Sequence, residues 1–362
     1  MADRPLYAVI LAGGRGERFW PLSTRRHPKQ FLTLFGGRSL LAQSVERLDG
    51  LIPPDRVYVI TSEDLVEAAR AAAPALPPGH VIGEPMGRDT GPAVALAAAV
   101  IRTRDPEAAF AILTADHVIG DLDAFRATLR EAAGVALERH ALVTIGIPPQ
   151  FPSTGFGYIE AGERETTREG IEFLHARRFV EKPDAATARS YVESGRYFWN
   201  AGMFIWSVST LHRQLHRHAP DLSSFIDRIA PVAADPDGRA RALEREYPEL
   251  RKISIDYALM EKAERVLVAR STFAWDDVGS WTALAHHLKP DSGGNVSTGE
   301  LISHDAFGNI VCSRRPVALL GVRDHVVVEA DGVLMMCPKD RAGELKKLVE
   351  SVRATGRHED VL

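Results

Sequence analysis

The residues with the most chemistry to offer stand near the start of the chain. Gly13, Gly14 and Gly16 are interleaved with and followed by Arg15, Arg18, Arg25, Arg26 and Lys29. Glycines strip side chains from a sharp turn, so successive backbone N–H groups can converge on an anion and a phosphate can approach them closely. The basic residues add positive charge along the same loop. Glycine and charge together point to a polyphosphate ligand. Two common phosphate motifs are absent. There is no GxxxxGK[ST], and Gly14-Arg-Gly-Glu-Arg-Phe19 lacks the last glycine of GxGxxG.

The element that must carry this loop is the run Leu6-Tyr-Ala-Val-Ile-Leu11, which is short, apolar and without amphipathic period. Such a run predicts a strand buried on both faces of a parallel sheet. Val57 to Thr61, His80 to Gly83, Ala109 to His117, with Asp116 at its end, and Ala141 to Ile147 read the same way. Helices are expected from Ser39 to Asp49, Glu63 to Ala73, Ala93 to Arg104 and Asp121 to Arg139. Strand, loop and helix in alternation predict a doubly wound α/β domain with a mostly parallel sheet. In that architecture ligands collect at the carboxyl ends of the strands.

Gly13, Gly14, Gly16, Arg18, Pro21, Leu22 and Lys29 together resemble the signature of sugar-nucleotide pyrophosphorylases. The form Phe19-Trp-Pro-Leu-Ser23, ending in His27-Pro-Lys-Gln30, is similar to that of the mannose 1-phosphate guanylyltransferases. The resemblance implies transfer of GMP from GTP to α-D-mannose 1-phosphate, giving GDP-mannose and pyrophosphate by in-line attack on the α-phosphorus. Leu11, Gly13, Gly14, Arg15 and Gly16 then bind the nucleotide, and Arg15, Arg18 and Lys29 hold the triphosphate and stabilise the leaving pyrophosphate.

Glu84 opens the loop Glu84-Pro-Met-Gly-Arg-Asp-Thr-Gly-Pro92, which resembles the family's base-recognition loop. A carboxylate can accept both the N1–H and the exocyclic amine of guanine, a pair that adenine does not offer. Arg88, Asp89 and Thr90 can add ribose or base contacts. From Pro148 onward the chain becomes aromatic and glycine-punctuated, as expected of strands lining a pocket. There Lys182 can neutralise a sugar phosphate, Glu181 and Asn200 can bond sugar hydroxyls, and Gly157 lets a backbone N–H face the sugar. These match the family's Gly-Tyr-Gly-Tyr-Ile-Glu, Glu-Lys-Pro and Trp-Asn-Ser-Gly motifs, with Phe156 and Ala201 as departures. Asp256 lies in a further family motif, Ser-Ile-Asp-Tyr, where support of the sugar pocket and a plain helix-start role both stay open.

The resemblance assigns a catalytic Mg²⁺ to Asp116, in the family's Leu-Pro-Ala-Asp-His position, and to Asp277, which precedes Val278-Gly279. Asp276 is left as a supporting or solvated acid. His212 and His216 have the i, i+4 spacing of a metal pair but no accompanying carboxylate motif, so a core or surface role is expected.

The whole chain bounds these readings. It has 362 residues, 45% of them hydrophobic, a formal charge of -4 and a pI near 6.4. That balance gives no general attraction to nucleic acid or to anionic lipid. No leader-like segment or long apolar run stands out, so no membrane association and a cytoplasmic protein are expected. Cys312 and Cys337 are expected to be small buried hydrophobes.

The expected domains are a catalytic domain over 1–289 and a small β-helix-like domain over 290–362, the latter suggested by sparse glycines at 299, 308, 321 and 332. The amphipathic segment Arg341 to Arg353 is expected to dock at home or to pair two copies into a homodimer. About seventy residues after the catalytic region are few for a further isomerase domain, so no phosphomannose isomerase activity is expected. Alternatives are another sugar 1-phosphate or a thymine or uracil base, and an inactive regulatory subunit of the same fold. An NAD(P)-dependent oxidoreductase is disfavoured by the defective GxGxxG.

Overall fold

The structure, a computed structural model, describes residues 4–14 and 16–362. Arg15 therefore lies outside the described residues. The chain forms two compact units that are not contiguous in sequence. One comprises the chain up to Gly13 with Val45–Thr114 and Ile119–Trp275, and the other Gly14–Ser44, Ala115–Val118 and Asp276–Leu362.

The first unit is built on a nine-stranded sheet. Its strands are β1 (Leu6–Ala12), β2 (Val57–Ser62), β3 (Val81–Glu84), β4 (Ala109–Thr114), β5 (Leu142–Ile147), β6 (Gly157–Arg168), β7 (Ile171–Glu181), β8 (Tyr197–Ser207) and β9 (Val266–Arg270). They lie in the order β3-β2-β1-β4-β8-β5-β9-β7-β6, with β6 also pairing β8. β1 is parallel to both neighbours, pairing Ala8 with Val57 and Leu6 with Ala109. Only β7 and β8 run against the rest. The reversal of β8 opposes Phe110 to Trp206, and a register shift beside Gly146 sets Asn200 across from it.

Alternation along each strand decides which side chains meet which layer. Tyr7, Val9, Phe110 and Trp206 point into a core shared with the alanine-rich helix Thr90–Arg102 and the helices Val208–His218 and Pro220–Ile229. Alanine at Ala93, Ala95, Ala97, Ala98 and Ala99 lets that helix lie close to the sheet, and all five are buried. The helix Leu122–Arg139 packs on β4, β5 and β8 with none of its buried residues in that cluster, so it covers the other face.

In the second unit short strands repeat as parallel rungs. Val296–Ser297 pairs Ile310–Cys312, which pairs His325–Ala330, while Leu301–His304 pairs Val317–Leu320. Val333–Pro338 closes the stack antiparallel to His325–Ala330. At the corners Asn295 and Asn309 are buried and stacked. The Asn309 amide donates to the Asn295 Oδ1 at 2.9 Å and to the Val322 carbonyl at 2.9 Å, and Asn309 Oδ1 accepts the His325 N–H. Each turn's backbone is thus satisfied by the asparagine of a neighbouring turn.

The core of this unit joins Val296, Ile310, Val326 and Val328 to Phe19, Trp20, Leu32 and Trp281. The apolar residues of the basic loop are therefore anchored in the same core as the rungs. Leu345 and Val349 of the helix Leu345–Ala354 are buried in it as well, so that helix docks within its own unit. Cys312 is buried as expected, whereas Cys337 is only partly so.

Candidate functional site

Among the glycines of the loop, the fold itself demands one. Gly16 has φ 63°, and a Cβ there would stand 2.5 Å from Lys29 Cβ and 2.8 Å from its backbone N. Gly16 then starts the turn Glu17–Phe19, whose Phe19 ring packs on Trp281 with centroids 5.0 Å apart. The close approach at Gly16 lets Lys29 run inward, its side chain only 8% exposed. Its ammonium donates to Asp116 Oδ2 at 2.8 Å and to the Asp277 carbonyl at 2.6 Å. Arg18 donates to the Gly279 carbonyl at 3.3 Å. Four of the residues singled out by sequence, Arg18, Lys29, Asp116 and Asp277, thus gather in one unit.

The charges around Lys29 shape both carboxyl groups. Burial raises the Asp116 carboxyl, but the Lys29 ammonium and His117 outweigh it and hold it below the ordinary range. Burial pushes Asp277 up, Lys29 opposes, and the neighbouring Asp276 and Asp116 push it further up. Asp116 therefore acts on Asp277 as a like charge that disfavours its ionised form. Asp276 has other employment: it accepts the Val278 N–H at 2.7 Å and a His287 ring bond at 2.9 Å. Asp277 instead folds over Gly279, where a Cβ would lie 2.8 Å from its Oδ2. His287 carried no sequence motif, so its contact with Asp276 had no signal.

In the first unit, β1 ends at Leu11-Ala12 and leads to Gly13. A Cβ at Gly13 would have ordinary van der Waals contact, 3.9 Å from Glu84 Oε2, and one at Gly14 would meet nothing within 4 Å among the described residues. Glu84, at the end of β3, is 8% exposed. Its Oε1 accepts the hydroxyl of Tyr247, a residue that sequence reading missed because a lone buried tyrosine has no signature. Burial pushes the Glu84 carboxyl up to about 7, against the opposing Tyr247 bond.

Beyond Glu84 the loop is latched to one segment. Arg88 donates to the Pro248 carbonyl, and its backbone carbonyl accepts the Ile253 N–H at 3.3 Å. Thr90 Oγ1 accepts the Ile255 N–H at 2.9 Å, and Asp89, at φ 68°, caps Thr90. Buried Arg88 Nε has no partner among the described residues, a donor the fold does not satisfy.

A separate pocket of the first unit is lined by Gly157, Glu181, Asn200, Asp256 and Glu261. A Cβ at Gly157 would stand 2.6 Å from Glu181 Oε2, so glycine there leaves room for the carboxylate. Asn200 donates to Asp256 Oδ1 at 2.8 Å and accepts the Gly202 N–H at 3.1 Å, which fixes its amide. Burial raises the Asp256 carboxyl. Asp256 thus joins the pocket, and Glu261 is a further acid that the sequence did not flag. Lys182, at φ 44°, pairs with Glu181 and is well exposed. Outside the pocket, His212 contacts Asp227 at 3.1 Å and Ser223 at 3.2 Å, which accounts for it without a metal.

Residues 7–291 match the nucleotidyl transferase family and residues 299–352 the MannoseP isomerase/GMP-like beta-helix domain. A mannose-1-phosphate guanylyltransferase of Escherichia coli K12 is 37% identical over 370 residues, 99% of this chain and 76% of that protein. The crystal structure of a mannose-1-phosphate geranyltransferase from Thermus thermophilus superposes with a TM-score of 0.87 at 38% identity, over 96% of this chain and 99% of that one. A mannose-6-phosphate isomerase structure from Helicobacter pylori gives a TM-score of 0.59 at 25% identity, over 75% of this chain and 99% of that one.

Proposed function

The chain belongs to the mannose-1-phosphate guanylyltransferase family, and from that membership we propose that it transfers GMP from GTP to α-D-mannose 1-phosphate, releasing pyrophosphate. Substrates of the family are a nucleoside triphosphate and a sugar 1-phosphate. The observation that carries the reading is the Lys29 ammonium held between Asp116 and the Asp277 backbone at the end of the glycine signature. A buried cation paired with one carboxylate and held against the backbone of a second acid supports polyphosphate chemistry at this loop.

Both reactants are anionic, so much of the barrier is charge repulsion and positioning. Arg18 and Lys29 hold the triphosphate and offset charge on the departing pyrophosphate. Lys182 neutralises the attacking sugar phosphate as a point charge. Glu181 and Asn200 orient the sugar, the latter with its amide already fixed by Asp256. Glu84 reads the base, with Arg88, Asp89 and Thr90 completing the nucleotide loop. No covalent nucleophile on the protein is needed.

The nucleotidyltransferase family usually uses a divalent metal. The donor types would suit Mg²⁺: Asp116 and Asp277 are hard carboxylates in one compact unit, and Asp116 acts electrostatically on Asp277, so the two would hold the ion with phosphate and water oxygens. When bound, the ion supplies charge neutralisation between the reacting phosphates. If Asp116 and Asp277 serve this role, Asp116→Asn and Asp277→Asn each lower kcat by about a hundredfold or more, with melting temperatures close to that of the parent. Near-parental turnover in both variants would remove the assignment.

A further inference from the structure

We propose that Tyr247 is a positioning residue that keeps Glu84 an acceptor-only carboxylate and thereby makes the base site choose guanine over adenine. The inference rests on the reading of Glu84 as the base-reading residue. Its own ground is geometric. Tyr247 is fully buried, its ring packs edge-on against Phe225 at 5.8 Å, and its hydroxyl donates to Glu84 Oε1. The same turn, Tyr247–Glu249, presents the Pro248 carbonyl to Arg88. One short segment therefore fixes both the carboxyl and the guanidinium of the base loop.

The chemistry follows from what each form of Glu84 can pair with. Ionised, it only accepts, and it complements the N1–H and N2–H donors of guanine. Each oxygen has two lone pairs, so Oε1 can take the tyrosine hydroxyl and one guanine N–H while Oε2, on the Gly13 side, takes the other. Protonated, it becomes one donor and one acceptor, the pattern that suits the adenine N1 and N6–H. Burial favours the protonated form, and the Tyr247 hydroxyl, a donor aimed at Oε1, favours the ionised one. The other ionisable groups close by are Arg88, and Glu63, whose carboxylate lies against Gly83. Removing the hydroxyl leaves burial unopposed and turns a guanine site toward adenine.

The test is the ratio of kcat/KM for GTP to that for ATP, measured from pH 6 to 9 in the parent, Tyr247→Phe and Glu84→Gln. Glu84→Gln, a permanent donor and acceptor, should lose most of the guanine preference at every pH. Tyr247→Phe should lower the ratio about tenfold near pH 7 and regain it toward pH 9 as Glu84 ionises, with KM for the sugar phosphate unchanged. If Glu84→Gln loses the preference but Tyr247→Phe keeps the parental ratio throughout, or lowers it without recovery at high pH, the role of Tyr247 is overturned and the reading of Glu84 stands. A parental ratio in Glu84→Gln overturns both. Should Tyr247→Phe fail to fold, Tyr247→Met, which also lacks the hydroxyl, takes its place: the same fall near pH 7 with recovery toward pH 9 supports the proposal, and a parental ratio throughout sinks it.

Discussion

Residue by residue, the glycines separate demands of the fold from demands of a ligand. Gly16 is required by the protein itself, through its positive φ and its contact with Lys29. Gly14 is required by nothing within 4 Å among the described residues. Gly16→Ala should cost roughly 1–3 kcal/mol of stability together with activity, whereas Gly14→Ala should leave the melting temperature unchanged. Activity lost in the stable Gly14 variant would report a bound phosphate that needs the space.

Glu84 gives a second prediction at this scale. Its folded carboxyl titrates near 7 against 4.5 unperturbed, so below pH 4.5 both folded and unfolded chains hold the proton and burial costs nothing. Between those values the unfolded chain releases its proton and the folded chain keeps it. The stability contributed at low pH is therefore lost as pH rises through 7, by up to about 3 kcal/mol. Glu84→Gln has no such proton, so the parent should lose ground to it from pH 4.5 to 7 in paired denaturation curves. A constant difference between the two would contradict the buried, raised carboxyl.

For the elements, legibility followed burial. β1, β2, β4 and β5 were readable because strands covered on both faces must be apolar throughout. The far parts of β6 and β7 were not, because Glu163 to Arg168 and its partner strand form a half-exposed ribbon. Their charges pair across it, as Arg164 with Glu172 at 3.3 Å. The helices Ala185–Ser194 and Pro236–Glu246 escaped notice because their polar sequences carry little apolar period. The motif around Asp256 forms a single π-helical turn, Asp256–Met260, rather than a longer helix. Sequence reading placed Gly157, Glu181 and Asn200 in one pocket through motifs, but Tyr247, Glu261 and His287 act through contacts distant in sequence and left no local pattern.

The asparagine stack is the element-scale device most open to test. Asn309→Ala removes two donated bonds and orphans the partly buried His325 N–H, a loss of roughly 2 kcal/mol or more. It should appear as a lowered melting temperature in calorimetry. A melting temperature equal to the parent's would mean the stack is incidental.

At the scale of the whole molecule, the net charge of -4 contrasts with the concentration of arginine and lysine near the glycine loop. The positive charge is thus concentrated locally against a slightly acidic whole, an arrangement suited to a small polyanion. No helix among the described residues is long and apolar enough to cross a membrane. Each compact unit holds a different part of the expected chemistry, with Arg18, Lys29, Asp116 and Asp277 in one and Glu84, Glu181, Lys182 and Asn200 in the other. Substrate turnover is accordingly the observable that requires them all.

The most direct measurement is pyrophosphate release by the purified protein with mannose 1-phosphate and each of GTP, ATP, UTP and dTTP, with Mg²⁺ and with EDTA. Release that prefers GTP and disappears with EDTA is the predicted result. Release with none of the four nucleotides, in the presence of Mg²⁺ and with folded protein, would contradict the assignment of a mannose-1-phosphate guanylyltransferase.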